Sequence, residues 1–218
     1  MIDMETKQKR ALSVLLDNGH GSDTPGKRSP EWGDMEQLFE WEFNRAITKR
    51  VAAGLERLGI ECELVVPEEE DISITERIVR VNTRARRASS DGRAAILVSV
   101  HANASPDPLR PGRGWECWTS RGHTKSDELA EMLYREAARY LWGFLRRKDR
   151  RDGDSDKETN AFSLLSRTIC PAVLTENLFM DNPEECRFLL GESGREAVAR
   201  LHLQAIVEYN RRFGINHI

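Results

Sequence analysis

Hydrophobic positions along the chain fall into short continuous runs separated by longer helical stripes. Leu12-Ser-Val-Leu-Leu16 is a β-rich run opening into Asp17-Asn-Gly-His-Gly21, which reads as a buried strand leading into a loop. Breaks at Pro25-Gly26, Pro30 and Gly33 predict irregular chain over 22–34. Phe39, Phe43, Ile47, Val51, Leu55 and Leu58 then recur at near-helical spacing, predicting an amphipathic helix from Met35 to Leu58 that Gly59 stops. Glu61 to Val66 alternates as a strand, and the acidic 68–71 segment reads as an exposed turn. Ser73 or Thr75 can cap a helix running through Ser89, with Ile78, Val81 and Ala85 inward. Ala94 to Val100 is a continuous apolar strand of the kind buried on both faces of a parallel sheet. Further strands are expected at Trp115–Thr119 and Cys170–Thr175, and further helices at Ser126–Trp142, Pro183–Leu190 and Glu192–Phe213.

Strand and helix alternate almost throughout, which predicts a single α/β domain of three layers with a mainly parallel twisted sheet. A polar segment over 1–11 would precede a domain spanning 12–213, with no internal repeat or linker. From Arg146 to Lys157 the chain is nearly all charge plus glycine and serine. That composition predicts a solvated, mobile loop, with a lid over a substrate as the alternative.

Composition narrows the class without fixing it. The 218 residues are 39% hydrophobic and 32% charged, which suits one soluble globular core. With 33 basic and 36 acidic side chains the net charge is -3, which gives no electrostatic case for nucleic acid. No apolar run approaches the roughly 20 residues that span a bilayer. The apolar run after the polar N-terminus is shorter than the about 7–15 residues of a signal-peptide core, so cytoplasmic synthesis without an export signal is expected. Cys62, Cys117, Cys170 and Cys186 form no C-x-x-C pair and read as small core hydrophobes in a reducing compartment.

In parallel sheets the working residues collect at the carboxyl ends of strands. Three predicted strand ends carry chemistry: Asp17-Asn-Gly-His20-Gly, Val98-Ser-Val-His101-Ala-Asn103 and Val173-Leu-Thr-Glu176-Asn. Imidazole is the commonest protein ligand for zinc, and two of five histidines stand at matching strand ends. His123, His202 and His217 follow no buried strand. The predicted helix from Met35 can supply a third ligand. At 100° per residue from Ile47, Glu40 and Glu36 each lie about 20° from the buried stripe, whereas Glu42 falls about 140° away. A carboxylate on an inward stripe is costly to bury unless paired or metal-bound, and periodicity leaves Glu36 and Glu40 both open.

Several motifs in order then resemble one family, the zinc N-acetylmuramoyl-L-alanine amidases of the type-3 class. Asp17 to Gly21 matches its D-x-G-H-G loop, and Glu40-Trp-Glu-Phe-Asn-Arg-Ala-Ile47 matches E-x-D-L-N-x-A-I. Ser99 to Ala104 matches S-x-H-A-N-A, and Gly114-Trp-Glu116 matches G-x-E. Phe162 to Leu165 with Pro171 to Glu184 matches the last block, F-x-x-L…P-A-V-L-x-E-x-x-F-x-x-N-x-x-E. The chain departs from the pattern at Ser22, where a second glycine is usual, and at Asp23-Thr-Pro-Gly-Lys27, in place of D-P-G-A. The 146–157 stretch is also longer than the pattern expects, and the wording of 115–127 is closer to phage and Bacteroides-type members.

The resemblance implies one Zn2+ per chain held by His20, Glu40 and His101, with Glu176 as the catalytic glutamate. It thereby chooses Glu40 over Glu36. The implied reaction is hydrolysis of the amide between N-acetylmuramic acid and the L-alanine of the stem peptide in peptidoglycan. A monomer acting on the cell wall is expected, with lysin-like release as a route to it. Two alternatives are a zinc peptidase acting on the stem peptide and a catalytically inactive wall-binding module. Trp115, Trp118 and Trp142 could stack on sugar, although core packing is the simpler expectation for each.

Overall fold

The structure, a computed structural model, describes residues 11–107, 109–149, 151 and 153–214. The expected polar segment, apart from Ala11, lies outside the described residues. In chain order the elements are β1 (Leu12–Asn18), α1 (Glu40–Arg57), β2 (Glu61–Leu64), α2 (Ile74–Ser90), β3 (Ala94–Asn103), β4 (Glu116–Thr119), α3 (Lys125–Tyr140), β5 (Lys157–Glu158), α4 (Ser163–Ser166), β6 (Ala172–Phe179), α5 (Pro183–Leu190) and α6 (Glu192–Phe213). They form the expected three-layer α/β fold. The sheet order is β2-β1-β3-β6-β4-β5; the first four strands are parallel, and β4 runs antiparallel to β6.

The period-2 alternation of the apolar runs builds both cores. Leu12, Val14 and Leu16, with Ile96 and Val98, face the layer of α1, α3 and α6. Leu15 and Leu97, with Leu174, face α2 and α4 on the other side, where Ile78, Val81 and Leu164 cover them. Every residue of β1 is buried, as a central parallel strand requires.

Three expectations need correction. Helix α1 begins at Glu40, not Met35. The preceding residues are extended, because Ser29 N donates to Leu38 O and Leu38 N to Ser29 Oγ, while Arg28 bridges Phe39. Phe39, in that extended chain, and Leu58, at the C-cap, are exposed rather than inward, whereas Phe43, Ile47, Val51 and Leu55 form the buried stripe. At its other end α1 stops where expected: Gly59 takes φ 68°, Ile60 N bonds Leu55 O and Gly59 N bonds Glu56 O.

The second correction concerns 146–157. Arg146 bridges Trp115, β5 pairs with β4, and Ser155 and Asp156 are buried, so the two ends of the stretch join the sheet edge and part of it is packed rather than solvated. Residues 150 and 152 lie outside the described residues. Third, β3 and β6 run past their expected ends, to Asn103 and Phe179, with a register shift between them after His101. No helix among the described residues is long and apolar enough to cross a membrane.

Candidate active site

The β1 and β3 ends, β6 and the first residue of α1 meet at one edge of the sheet. Pairing of β3 with β6 puts His101 opposite Glu176, and β1 delivers His20 just beyond its last residue. Because α1 starts late, Glu40 is its first residue, and its side chain turns inward at 1% exposure. Glu36 lies exposed in the preceding chain, so of the two carboxylates that periodicity left open Glu40 is the one that faces this edge.

The geometry is tight. Glu40 Oε1 lies 3.1 Å from His101 Nδ1 and accepts from Ala102 N at 3.2 Å. Glu40 Oε2 lies 3.4 Å from His20 Nε2. The two imidazoles meet edge to face with centroids 5.0 Å apart. His20, Glu40 and His101 each turn one ligand atom into a group whose atoms all lie within 4.8 Å of one another. Glu40 Oε2 and Glu176 Oε2 are sealed from solvent, and neither receives a hydrogen bond among the described residues. An orphaned Glu40 Oε2 beside two imidazoles is what a divalent cation would satisfy, so the donor set of His20, Glu40 and His101 fits a metal ion.

Electrostatics follows from burial and these contacts. Burial lowers the His20 imidazole to about 4, against the raising pull of Glu40. Burial pushes the Glu40 carboxyl up, but His101, His20 and Lys27 together hold it below the ordinary range. His101 shows the complement: burial alone would lower it, and the Glu40 contact carries it above its usual value. Glu176 is pushed up to about 8, first by burial, with His101 opposing and Glu40 and Glu116 adding. A carboxyl near neutrality suits a group that takes and returns a proton.

Local sequence explains the frame. Gly19 passes so close to His101 that a Cβ there would lie 1.9 Å from His101 Cε1, and a Cβ on Gly21 would lie 2.0 Å from Asp71 N. His20 sits in the left-handed region at φ 64°. Its carbonyl accepts from Arg45 Nη1 at 2.9 Å, and the Gly19 carbonyl from Asn44 Nδ2 at 3.0 Å. Asn177 Nδ2 donates to His101 O at 2.9 Å, and Asn177 Oδ1 accepts from Trp115 Nε1 at 2.9 Å.

Asp17 is not in the metal-binding group. It accepts from Arg77 at 2.6 Å and from Ser99 Oγ at 2.6 Å in full burial, locking the β1 end to β3 and α2. Sequence reasoning missed Arg77, Arg45, Asn44 and Asn177 as supports. Arg77 had a signal, since it stands one helical turn before Val81 on the inward face of α2.

The remaining candidates separate cleanly. His202 is buried in the core, His123 is exposed before α3, and His217 lies outside the described residues. Trp115 is core, packed on Tyr134, and Trp142 is 83% exposed. Trp118 packs on Phe162, which lines the cavity above His20 and His101. That cavity measures about 660 Å3, and Ile72, Ile74, Phe162 and Leu164 contribute apolar lining. The cysteines are free, and burial pushes their thiols up, Cys62 and Cys170 to about 12.

Fold and site together define an α/β protein with a His–Glu–His group that could hold a metal ion and a further carboxylate beside it at the sheet edge. The match to known sequences narrows that class. The chain belongs to the N-acetylmuramoyl-L-alanine amidase family, whose model matches residues 14–208. It is 31% identical over 202 residues to the endolysin of Bacillus phage SPP1, covering 89% of this chain and 65% of that one. It is 25% identical over 230 residues to the N-acetylmuramoyl-L-alanine amidase AmiC of Neisseria meningitidis, covering 90% of this chain and 52% of that one. The chain thus spans about half to two thirds of the length of these relatives. Among solved structures, an N-acetylmuramoyl-L-alanine amidase from Clostridium difficile 630 superposes with TM-score 0.75 at 24% identity, covering 95% of this chain and 100% of that one. AmiC2 of Nostoc punctiforme gives 0.72 at 24%, covering 93% and 98%. Both share the fold.

Proposed function

We propose that this chain is a zinc-dependent amidase that hydrolyses the bond between N-acetylmuramic acid and the L-alanine of the peptidoglycan stem peptide. The observation that carries it is the convergence of His20, Glu40 and His101 on one group with Glu176 beside it, in a chain of this family. The catalytic unit is the 12–213 span, acting as a monomer on the cell wall; likeness to a phage endolysin supports a role in wall lysis.

His20, Glu40 and His101 would hold the zinc; three protein ligands are the number that catalytic rather than structural zinc sites use. Bound there, zinc supplies Lewis-acid polarisation of a carbonyl and makes water more acidic. Glu176 takes the proton from the attacking water and delivers it to the departing L-alanine amine. Its sealed Oε2, free of competing donors, keeps the carboxyl available for that exchange. The Gly19 backbone packs close to the His101 ring, and Asn177 holds the His101 carbonyl. The apolar walls of the cavity exclude water around the reacting amide.

Purified cell wall digested with the zinc-loaded protein should release intact stem peptides with a free L-alanine amine, read by mass spectrometry. Cuts within the stem peptide would replace this reading with a peptidase. Glu176→Ala should lose at least about 100-fold in turnover while keeping one zinc, and His101→Ala should lose the zinc as well. Full turnover by Glu176→Ala would remove the role given to it.

A further inference from the structure

Two cationic residues line the cavity, Lys27 and Arg77. Arg77 is committed: at 2% exposure it binds Asp17 and Asp71. Lys27 is not. Its Nζ stands 4.0 Å from Glu40 Oε2, beyond hydrogen-bond length, and its side chain remains 42% exposed. Its backbone is nevertheless fixed, because Lys27 O accepts from Glu40 N at 3.0 Å and the neighbouring Arg28 bridges Phe39. The ammonium is thus anchored at the start of α1, at the mouth of the cavity, beside the metal-binding group. It stands where the D-P-G-A pattern ends in alanine, so the charge is a feature of this chain's own loop.

The charge balance says what such a group would meet. With neutral imidazoles, the carboxylates that line the cavity (Asp17, Glu40, Asp71 and Glu176) balance a divalent cation, Arg77 and Lys27, and of the two basic side chains Lys27 is the one that no carboxylate holds by a hydrogen bond among the described residues. Once Glu40 is occupied by the metal, the ammonium has lost its nearest anion and keeps three donors facing the opening. A carboxylate of the substrate entering the cavity would supply its hydrogen-bond partner. The uncut stem peptide offers a fixed anion close to the scissile amide, the carboxylate borne by its second residue, which some walls convert to a neutral carboxamide.

We propose that Lys27 is a specificity-determining residue that binds a carboxylate of the stem peptide next to the scissile amide, so that the enzyme prefers acidic over amidated stems. The proposal rests on the amidase reading above. An ammonium–carboxylate contact in a partly enclosed site is charge-assisted and directional, and one such contact corresponds to roughly ten-fold in affinity.

The test uses zinc-loaded wild type, Lys27→Met and Lys27→Arg on two muropeptides that differ only in carboxylate or carboxamide at the second stem residue. Lys27→Met should raise KM for the carboxylate substrate by roughly ten-fold, leave kcat within about three-fold, and erase the preference. Lys27→Arg should restore it. Independently of turnover, calorimetry should show the free carboxylate peptide binding roughly ten-fold more weakly to zinc-loaded Glu176→Gln/Lys27→Met than to Glu176→Gln alone, with the carboxamide peptide unchanged. An equal fall in kcat on both substrates would place Lys27 on the reacting carbonyl instead and overturn the proposal, as would an unchanged preference. If wild type cleaves neither muropeptide at the sugar–peptide amide, the amidase reading fails and this inference with it. Cleavage of both with the same KM overturns the inference alone.

Discussion

At Gly19 the chain runs against the ring of His101 with no room for a single methyl group. The same residue donates its N–H to Val100 O and accepts from Asn44, so its backbone cannot retreat. Gly19→Ala must therefore displace the imidazole, the less firmly held partner. The expected outcome is a folded protein whose zinc affinity falls about 10- to 100-fold, the scale seen when a ligand loses its orienting support. Metal titration beside a thermal melt checks this; unchanged zinc affinity with an intact fold would refute the packing argument. Residue-scale chemistry was only partly legible in the sequence. His20, His101 and Glu176 stand at strand ends, which the apolar runs reveal. Glu40 needed the family motif, because helical periodicity placed Glu36 equally well and only the late start of α1 separates them. Arg77 was open to the reasoning applied to Glu40, a charged group on an inward helical stripe, yet its partner Asp17 is 60 residues away. Asn177 had no such signal, since its work is to hold a backbone carbonyl on a neighbouring strand.

Among the elements, the legible ones are those whose stability is local or periodic. β1 and β3 announce themselves as unbroken apolar runs, and α2 by its stripe and its cap. Ser73 is that cap, with Oγ accepting from Glu76 N at 3.2 Å. Ser73→Ala should cost about 1 kcal/mol and lower the melting temperature by about 2–4 °C, as measured by calorimetry, without loss of zinc. A variant melting with wild type would show that Thr75 or water serves the helix end equally well. Elements whose formation depends on distant partners were not legible. Residues 37–39 have helical spacing but are held extended by Ser29 and Arg28. The 146–157 stretch has the composition of a solvated loop. Its backbone is nevertheless bound by Tyr134 Oη donating to Arg147 O and by Arg147 N donating to Trp115 O, while Glu116 accepts from both Arg147 and Lys157 at 2.7 Å. Composition records how hydrophilic a segment is and carries no record of partners 30 residues away.

For the molecule as a whole, the sheet is what turns scattered motifs into a site. Parallel β1, β3 and β6 bring their carboxyl ends to one edge, and α1 returns there to present Glu40. That architecture was legible from strand–helix alternation, whereas the particular amide bond was not: it rests on membership of the family. The sheet also ties the site to the far helical layer through His202. This imidazole is fully buried on α6, with Nδ1 2.7 Å from the Val198 carbonyl and Nε2 2.8 Å from Thr175 Oγ1, next to Glu176 on β6. The carbonyl can only accept, so Nδ1 carries the proton and Nε2 accepts from the hydroxyl. Burial lowers this group to about 4, below the ordinary 6.5 of an unfolded chain. Between those values the unfolded chain binds a proton that the folded one refuses, so stability rises with pH there. The contribution is complete above pH 6.5 and is lost as pH falls toward 4, with an upper scale of about 3 kcal/mol. Other groups titrate in the same window, so the decisive quantity is a difference. Urea midpoints of wild type and His202→Gln should lie well apart at pH 7.5 and draw together by pH 4.5, because only wild type loses this term. A gap of equal size at both pH values would mean that His202 holds α6 to β6 by shape alone.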